Sequence, residues 1–311
     1  MVTSRLMVFS GNSHPVLAAK IASELGVSLG KAKAQRFSDG ECNIQLLESV
    51  RGSDVFIVQP TCAPVNENLM ELLLLIDACR RSSASRVIPV IPYYGYARQD
   101  RILERSPVSA KVTASMLQSA GANGIITVDL HSQQIQGFFD IPIDNLSAAG
   151  LFEEHFEKKS GDIVVVSPDV GGVKRARNFA EKIGATLAII DKTRPRENEV
   201  EVMNLIGDVK GKKAIMVDDI IDTGGTIIKA ADALKKAGAV SVSAFCVHPV
   251  LSGDGYAKIE KSVLDELVVT DSIPIKSGAP KKIRVLPLAP MLTRTIKGIH
   301  EGKSISNLFT L

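Results

Sequence analysis

The stretch Ala214–Thr226, AIMVDDIIDTGGT, constrains this chain more than any other. An apolar run, AIMV, reaches Asp218 and Asp219. Asp222, Thr223, Gly224, Gly225 and Thr226 follow, and a helical pattern begins. A strand that ends in polar residues and turns at once into a helix is half of a βαβ unit, and ligands of parallel sheets gather at such strand ends. The Gly-rich turn offers backbone N–H groups and the positive end of a helix dipole, which is a cradle for phosphate. Thr223 and Thr226 add hydroxyls. Two carboxylates beside a phosphate cradle need a different ligand: the adjacent hydroxyls of a sugar, or a divalent cation. The reading adopted is that the Gly and Thr residues hold phosphate and Asp218 with Asp219 hold sugar hydroxyls. An acidic cap with a glycine turn is the bland alternative, and the pattern is richer than a cap requires. Neither GxxxxGK[ST] nor GxGxxG after a first strand is present.

The same rhythm runs along the chain. Strands are predicted at Leu6–Phe9, Val55–Val58, Val87–Ile91 and Gly124–Val128, with helices at His14–Leu25, Asn66–Arg81 and Ala110–Ser119. It restarts with a helix at Leu146–Phe156. Strands are expected at Ile163–Val166, Leu187–Ile190, Ala214–Val217 and Val240–Cys246, and helices at Val173–Ile183 and Thr226–Lys236. Short strands at Val268–Thr270 and Ile283–Pro287 precede a last helix, Met291–His300. The fold class is therefore α/β, with mainly parallel sheets flanked by helices. The 311 residues suit two domains, 1–145 and 146–291, with a tail from 292 to 311.

Other predicted strand ends carry polar residues. Asp129-Leu130-His131 follows one, and SPDVGG, Ser167–Gly172, follows another; His131 and Asp169 are candidates to share a Mg²⁺ that keeps several waters. The next helix bears Lys174, Arg175 and Arg177, a solvated basic face on the bland reading. Arg98, Gln99 and Asp100 follow IPYYGYA, where an arginine suits bidentate phosphate contact and an Arg/Asp surface pair is the alternative. Lys192 and Arg194, in DKTRPR, can meet the charge of a transferring phosphoryl group, or can form a merely solvated basic run. Phe37, Asp39 and Glu41, in FSDGE, form either a turn with one buried aromatic or a surface on which a base stacks.

Composition excludes several classes. A net charge of +3 gives no nucleic-acid surface, and the absence of Trp with 5% aromatics disfavours stacking platforms for single strands. No apolar stretch is long enough to span a membrane, and that of the first residues is too short for a signal peptide. The four cysteines form no CxxC pair. A cytoplasmic protein with reduced thiols is expected.

Taken together, FSDGE, ESVRG, NENLMELLLLIDA, YARQD, DLHSQQIQGFFDIP, VVSPDVGG, EVMNLIGDV, VDDIIDTGGT, HPVLSG and the tail from IRVLPLAP resemble the class I ribose-phosphate pyrophosphokinases, also called phosphoribosyl-diphosphate synthetases, over essentially the whole chain. The VDDIIDTGGT stretch alone resembles phosphoribosyltransferases more broadly. The resemblance implies two phosphoribosyltransferase-like domains, with the tail returning to the first. It implies transfer of the β,γ-diphosphoryl group of ATP to the 1-hydroxyl of D-ribose 5-phosphate. By position, Asp218, Asp219, Asp222, Thr223, Gly224, Gly225 and Thr226 would hold ribose 5-phosphate, and His131 and Asp169 would lie at the Mg²⁺–ATP site. Arg98 and Gln99 would contact ATP, Lys192 and Arg194 would be catalytic cations, and Phe37, Asp39 and Glu41 would form an adenine loop lent to a neighbouring subunit. The family resemblance also implies a homohexamer, activated by phosphate and inhibited by ADP, with Ser49, Arg51, Gln136, Ser304 and Phe309 at that regulatory site. Two departures stand out. Ile102 and Leu103 occupy positions that are often charged, and Thr193 stands where a further basic residue is common.

Overall fold

The computed structural model describes residues 4–156, 162–193 and 202–306, which divide into two compact units. The first comprises residues 4–147 with 272–274 and 287–306; the second comprises the described residues of 148–271 with 275–286.

In the first unit, β1 (Leu6–Ser10), β4 (Asp54–Val58), β5 (Arg86–Ile91), β6 (Ile125–Val128) and β7 (Ile143–Leu146) form a parallel sheet in the order β1-β4-β5-β6-β7. DVFIV of β4 is buried along its length, as expected of a strand covered on both faces. Helices α1 (Pro15–Leu25), α2 (Val65–Arg81) and α3 (Ser109–Ala120) connect the strands. Leu69, Leu72, Leu73, Leu75, Ile76 and Cys79 of α2 recur at helical spacing and face the core, with Phe9, Ile57 and Ile91 among their partners. A separate antiparallel hairpin pairs β2 (Ala32–Arg36) with β3 (Cys42–Leu46).

The second unit has seven strands: β8 (Ile163–Ser167), β9 (Thr186–Thr193), β10 (Val202–Ile206), β11 (Lys213–Ile221), β12 (Ser241–Pro249), β13 (Glu266–Thr270) and β14 (Ile283–Leu286). Their order is β10-β9-β8-β11-β12-β13-β14, and only β9–β10 is antiparallel. The order reverses between β8 and β11: one branch leads through β9, the other through β12. Val164, Val166, Ala214, Met216, Ala244 and Leu267 share a core with Ile227, Ala230, Ala231 and Leu234 of α6 (Gly225–Lys236) and with Ile259 of α7 (Gly255–Lys261). Around Phe245 of β12 gather Phe152 and Phe156 of α4 (Ala149–Phe156) and Phe179 of α5 (Val173–Lys182), with ring centroids 4.3–5.4 Å from that of Phe245. The last helix, α8 (Ala289–His300), belongs to the first unit and packs on α1.

Predicted and observed elements agree in type for most of the chain and differ where tertiary pairing decides. The N-terminal part of the expected helix 146–156 is not helical. Leu146 closes β7 through pairing with Val128, and α4 begins only at Ala149. AKAQR of β2 has no apolar run to announce it and exists by pairing with β3. Among the described residues, no helix is long and apolar enough to cross a membrane, and all four cysteines are free thiols.

Candidate functional site

The order reversal between β8 and β11 places the two strands' carboxyl ends where a crevice opens in an open α/β sheet. β11 pairs with β8 only as far as Met216, yet continues beside β12 to Ile221. Asp218 and Asp219 therefore lie within β11, past the end of its pairing with β8. Ile221 is followed by Asp222, Thr223 and Gly224, whose φ of +77° favours a residue without Cβ. α6 starts at Gly225, so the N–H groups of its first turn face the space beyond the strand end, alongside the exposed Thr223 and Thr226. Asp222 is engaged with the Ser252 hydroxyl, and its carbonyl accepts the Ser252 N–H at 3.0 Å. It thus braces this turn against the loop after β12.

The acidic pair is tightly organised. Asp218 Oδ1 accepts the Asp219 N–H at 2.9 Å and an Arg175 guanidinium N–H at 3.2 Å. The same guanidinium nitrogen lies 3.1 Å from Asp219 Oδ1. Burial, and then the Asp219 charge beside it, push the Asp218 carboxyl up to about 7, against the pull of Arg175. Cys246, fully buried beneath, has its thiol raised by burial and by both carboxylates. Such a pair holds excess negative potential, which sugar hydroxyls or a cation would relieve. Arg175 is the residue that sequence reasoning missed. Its position as the third residue of α5, the helix that follows β8, was the available signal, since that turn faces the end of the neighbouring β11. Lys174 and Arg177 are exposed, as a solvated face requires.

Asp169 lies after β8, with its Oδ1 accepting the Gly172 N–H at 2.8 Å at the start of α5. Among the described residues, no cluster of three or more His, Cys, Asp or Glu side chains is arranged to hold a metal. Asp169 by itself offers a hard oxygen at a strand end of the kind Mg²⁺ takes, the rest of such a shell coming from water and phosphate. Lys192 lies in β9, opposite Met203 of β10; its side chain, together with Arg194 and Phe309, lies outside the described residues.

In the first unit, the five-residue loop 37–41 joins β2 to β3. The Phe37 N–H donates to Glu41 O at 2.8 Å, the Gly40 N–H to Phe37 O at 2.9 Å, and the Glu41 N–H to Asp39 Oδ1 at 3.0 Å. The loop is internally bonded, yet Phe37 is 53% exposed, so it is not the buried aromatic of a plain turn. Arg98 and Gln99 are exposed after β5. Gln99 also spans a loop: its carbonyl accepts the Ala110 N–H at 3.1 Å and its side-chain oxygen the Ser109 hydroxyl at 2.6 Å. Ile102 and Leu103, within that loop, are 69% and 61% exposed. His131 is exposed after β6, beyond Asp129, which is held at φ +38° with its N–H bonded to Leu146 O at 2.9 Å. Left-handed backbone at a non-glycine residue is sparsely populated and marks a constrained turn. Ser49 and Arg51 share a turn in which Ser49 Oγ accepts the Arg51 N–H at 3.4 Å. Gln136 donates to Gln133 Oε1 at 2.7 Å, and the Ser304 and Ser306 hydroxyls are 3.0 Å apart.

Residues 6–121 match the model of the N-terminal domain of ribose phosphate pyrophosphokinase, and residues 195–310 match that of the phosphoribosyl synthetase-associated domain. The chain is 54% identical over 304 residues to a ribose-phosphate pyrophosphokinase of Wolinella succinogenes, covering 97% of this chain and 98% of that protein. It is 53% identical over 312 residues to one from Caldanaerobacter subterraneus, covering 99% of each. The crystal structure of phosphoribosylpyrophosphate synthetase from Mycobacterium smegmatis superposes with a TM-score of 0.91 at 42% identity, over 96% of this chain and 100% of that one.

Proposed function

The chain belongs to the ribose-phosphate pyrophosphokinase family, and from that premise we propose that it converts ATP and D-ribose 5-phosphate to AMP and 5-phospho-α-D-ribose 1-diphosphate. The observation that carries this reading is the Asp218–Asp219 pair, bridged by Arg175 and followed by the Gly/Thr turn of α6. Phosphate would lie on the first-turn N–H groups of α6 with Thr223 and Thr226, while the sugar hydroxyls donate to the two carboxylates.

The 1-hydroxyl oxygen then attacks the β-phosphorus of ATP. The bond from that phosphorus to the oxygen bridging it to the α-phosphorus breaks, AMP leaves with the electron pair, and the hydroxyl proton passes to solvent. No covalent intermediate on the protein is required, so acceleration comes from alignment and from charge neutralisation. Lys192 and Arg194 would meet the charge moving toward the bridging oxygen. Mg²⁺, when bound, would supply charge neutralisation at the phosphate oxygens, and Asp169 and His131 are the residues proposed to hold it. Phe37 would stack on adenine, with Asp39 and Glu41 accepting from it, and Arg98 and Gln99 would contact the nucleotide. Assembly as a homohexamer in the cytoplasm belongs to the same reading. So do activation by phosphate and inhibition by ADP through Ser49, Arg51, Gln136, Ser304 and Phe309.

The test is product identity. Purified protein with ATP, ribose 5-phosphate and Mg²⁺ should form AMP and the 1-diphosphate in equal amounts, more rapidly with added phosphate. ADP as the product would indicate ordinary γ-phosphoryl transfer, and turnover of the 1-diphosphate only with a free base would indicate a phosphoribosyltransferase. Either outcome overturns the assignment.

A further inference from the structure

Glu71 of α2 is 3% exposed, and among the described residues no lysine or arginine pairs with it. Its charge is met by N–H donors instead. One carboxylate oxygen accepts the Asn12 backbone N–H at 2.6 Å and the Gln59 amide at 2.9 Å; the other accepts the Asn12 side-chain amide at 2.7 Å. That Asn12 amide carries a second N–H, which donates to Ala34 O of β2 at 3.0 Å. The carboxylate also lies near β3: burial and then the Glu71 charge raise the Cys42 thiol.

One helical turn before Glu71, Glu67 pairs with Arg36 of β2 at 2.7 Å, and Arg36 donates onward to Gly40 O at 3.2 Å. α2 thus grips the hairpin at two heights on one face. The outer grip joins two exposed side chains and is weak. The inner grip is charge-assisted and at least partly buried where Asn12 and Gln59 meet Glu71, and it reaches the hairpin through the exposed Asn12–Ala34 bond. The Asn12 amide nitrogen gives one N–H to Glu71 and the other to Ala34, which a hydroxyl or an apolar side chain at position 12 cannot do.

We propose that Asn12 and Glu71 are positioning residues that set the β2–β3 hairpin at the angle its Phe37 loop needs to receive a planar base. This rests on the reading of loop 37–41 as the adenine loop. A purely local role for Glu71, in satisfying the turn between β1 and α1, explains the Asn12 and Gln59 contacts but not the link to Ala34.

The chain contains no Trp, so Phe37→Trp places a single fluorophore in the loop. Asn12→Ala in the full assembled protein is expected to raise the KM for ATP about tenfold, with kcat and the KM for ribose 5-phosphate within twofold. In the Phe37→Trp background it should lower the fluorescence anisotropy. Phe37→Ala should then cost less ATP affinity in Asn12→Ala than in the wild type. Should Asn12→Ala not fold, Asn12→Ser retains a donor for Glu71 and loses the reach to Ala34. If Phe37→Ala raises the KM for ATP while neither Asn12 variant changes KM or anisotropy, the inference falls and the adenine reading stands. If Phe37→Ala leaves the KM for ATP unchanged, the adenine reading falls. Anisotropy then decides the clamp alone: a decrease supports it and no change overturns it. A uniform loss of kcat and of both affinities assigns Asn12 a general structural role and overturns the proposal.

Discussion

The two units use the same alternation of strand and helix and put it to different ends. In the first, the chain steps outward in one direction, β1-β4-β5-β6-β7, and the sheet order never reverses. In the second, the order reverses between β8 and β11, and there the acidic pair, Arg175 and the Gly/Thr turn converge. A reversal leaves strand ends uncovered by a crossover, so a ligand can rest against backbone that is already fixed. Without one, the first unit carries its candidate residues on excursions: the hairpin loop with Phe37, the turn with Arg98 and Gln99, and the constrained turn ahead of His131. The comparison teaches that the second unit sets its candidate residues on strand ends and a helix start already fixed by the sheet. The first presents side chains whose placement depends on how loops are braced.

The largest effect expected from breaking this division lies at the β9–β10 end of the second unit. Lys192→Ala should lower kcat about 100-fold or more, roughly 3 kcal/mol, with both KM values nearly unchanged, because a cation that meets developing charge acts on the transition state. Steady-state kinetics of the assembled variant would check this, and turnover within a few-fold of the wild type would return DKTRP to a solvated basic run.

Arg175→Gln sharpens the description of the cradle. Burial and then the neighbouring Asp219 charge hold the Asp218 carboxyl well above the usual carboxylate range, and Arg175 holds it lower than it would otherwise be. Removing the guanidinium raises it further, so the ionised acceptor is scarcer at neutral pH. The KM for ribose 5-phosphate should rise about tenfold at pH 7 and recover as pH increases above it. A KM profile that keeps the wild-type midpoint would show that Arg175 does not govern the pair.

The first unit should respond in stability rather than in its ligands when the foot of its sheet is altered. Asp54, 2% exposed at the start of β4, accepts from Arg86 at 2.9 Å and lies 2.8 Å from His300 Nδ1 at the end of α8. Burial would raise its carboxyl, but the bonds from Arg86 and His300 win and hold it below the usual 3.8. A depressed carboxyl stabilises the fold above its unfolded pKa, and that contribution is lost as pH falls through the folded value. Asp54→Asn should cost about 2 kcal/mol at pH 7, and the difference should shrink below pH 4 in urea unfolding. Loss of substrate affinity with unchanged stability would break the distinction between the units. The smallest effect is expected for Gly224→Ala, which forces a side chain onto φ +77°, costs about 1 kcal/mol and should raise the KM for ribose 5-phosphate about fivefold.

How much of this was legible in the sequence differs between the units in the same way. The cradle residues could be read directly, because an apolar strand, paired acids and a Gly-rich turn lie within thirteen consecutive positions. The buried strands of both sheets announced themselves by apolar runs. What escaped was long-range. Arg175 reads as one of three basic residues on a helix until the fold turns it toward Asp218 and Asp219. β2 is too polar to signal a strand, and β7 fell at the expected domain boundary, with only Leu146 in a predicted helix, because its pairing with β6 is not written locally. Glu71 appeared as a polar interruption in an apolar helix; its donors come from Asn12 and Gln59, 59 and 12 residues away in sequence.

The claim that a fixed cradle for the sugar lies in one unit and a braced loop for the base in the other is tested most directly by paired kinetics. Asp219→Asn and Phe37→Ala are to be measured with each substrate varied at saturation of the other. The account predicts that Asp219→Asn raises the KM for ribose 5-phosphate at least tenfold and leaves that for ATP within twofold, while Phe37→Ala does the reverse. Equal weakening of both substrates by both substitutions would contradict it.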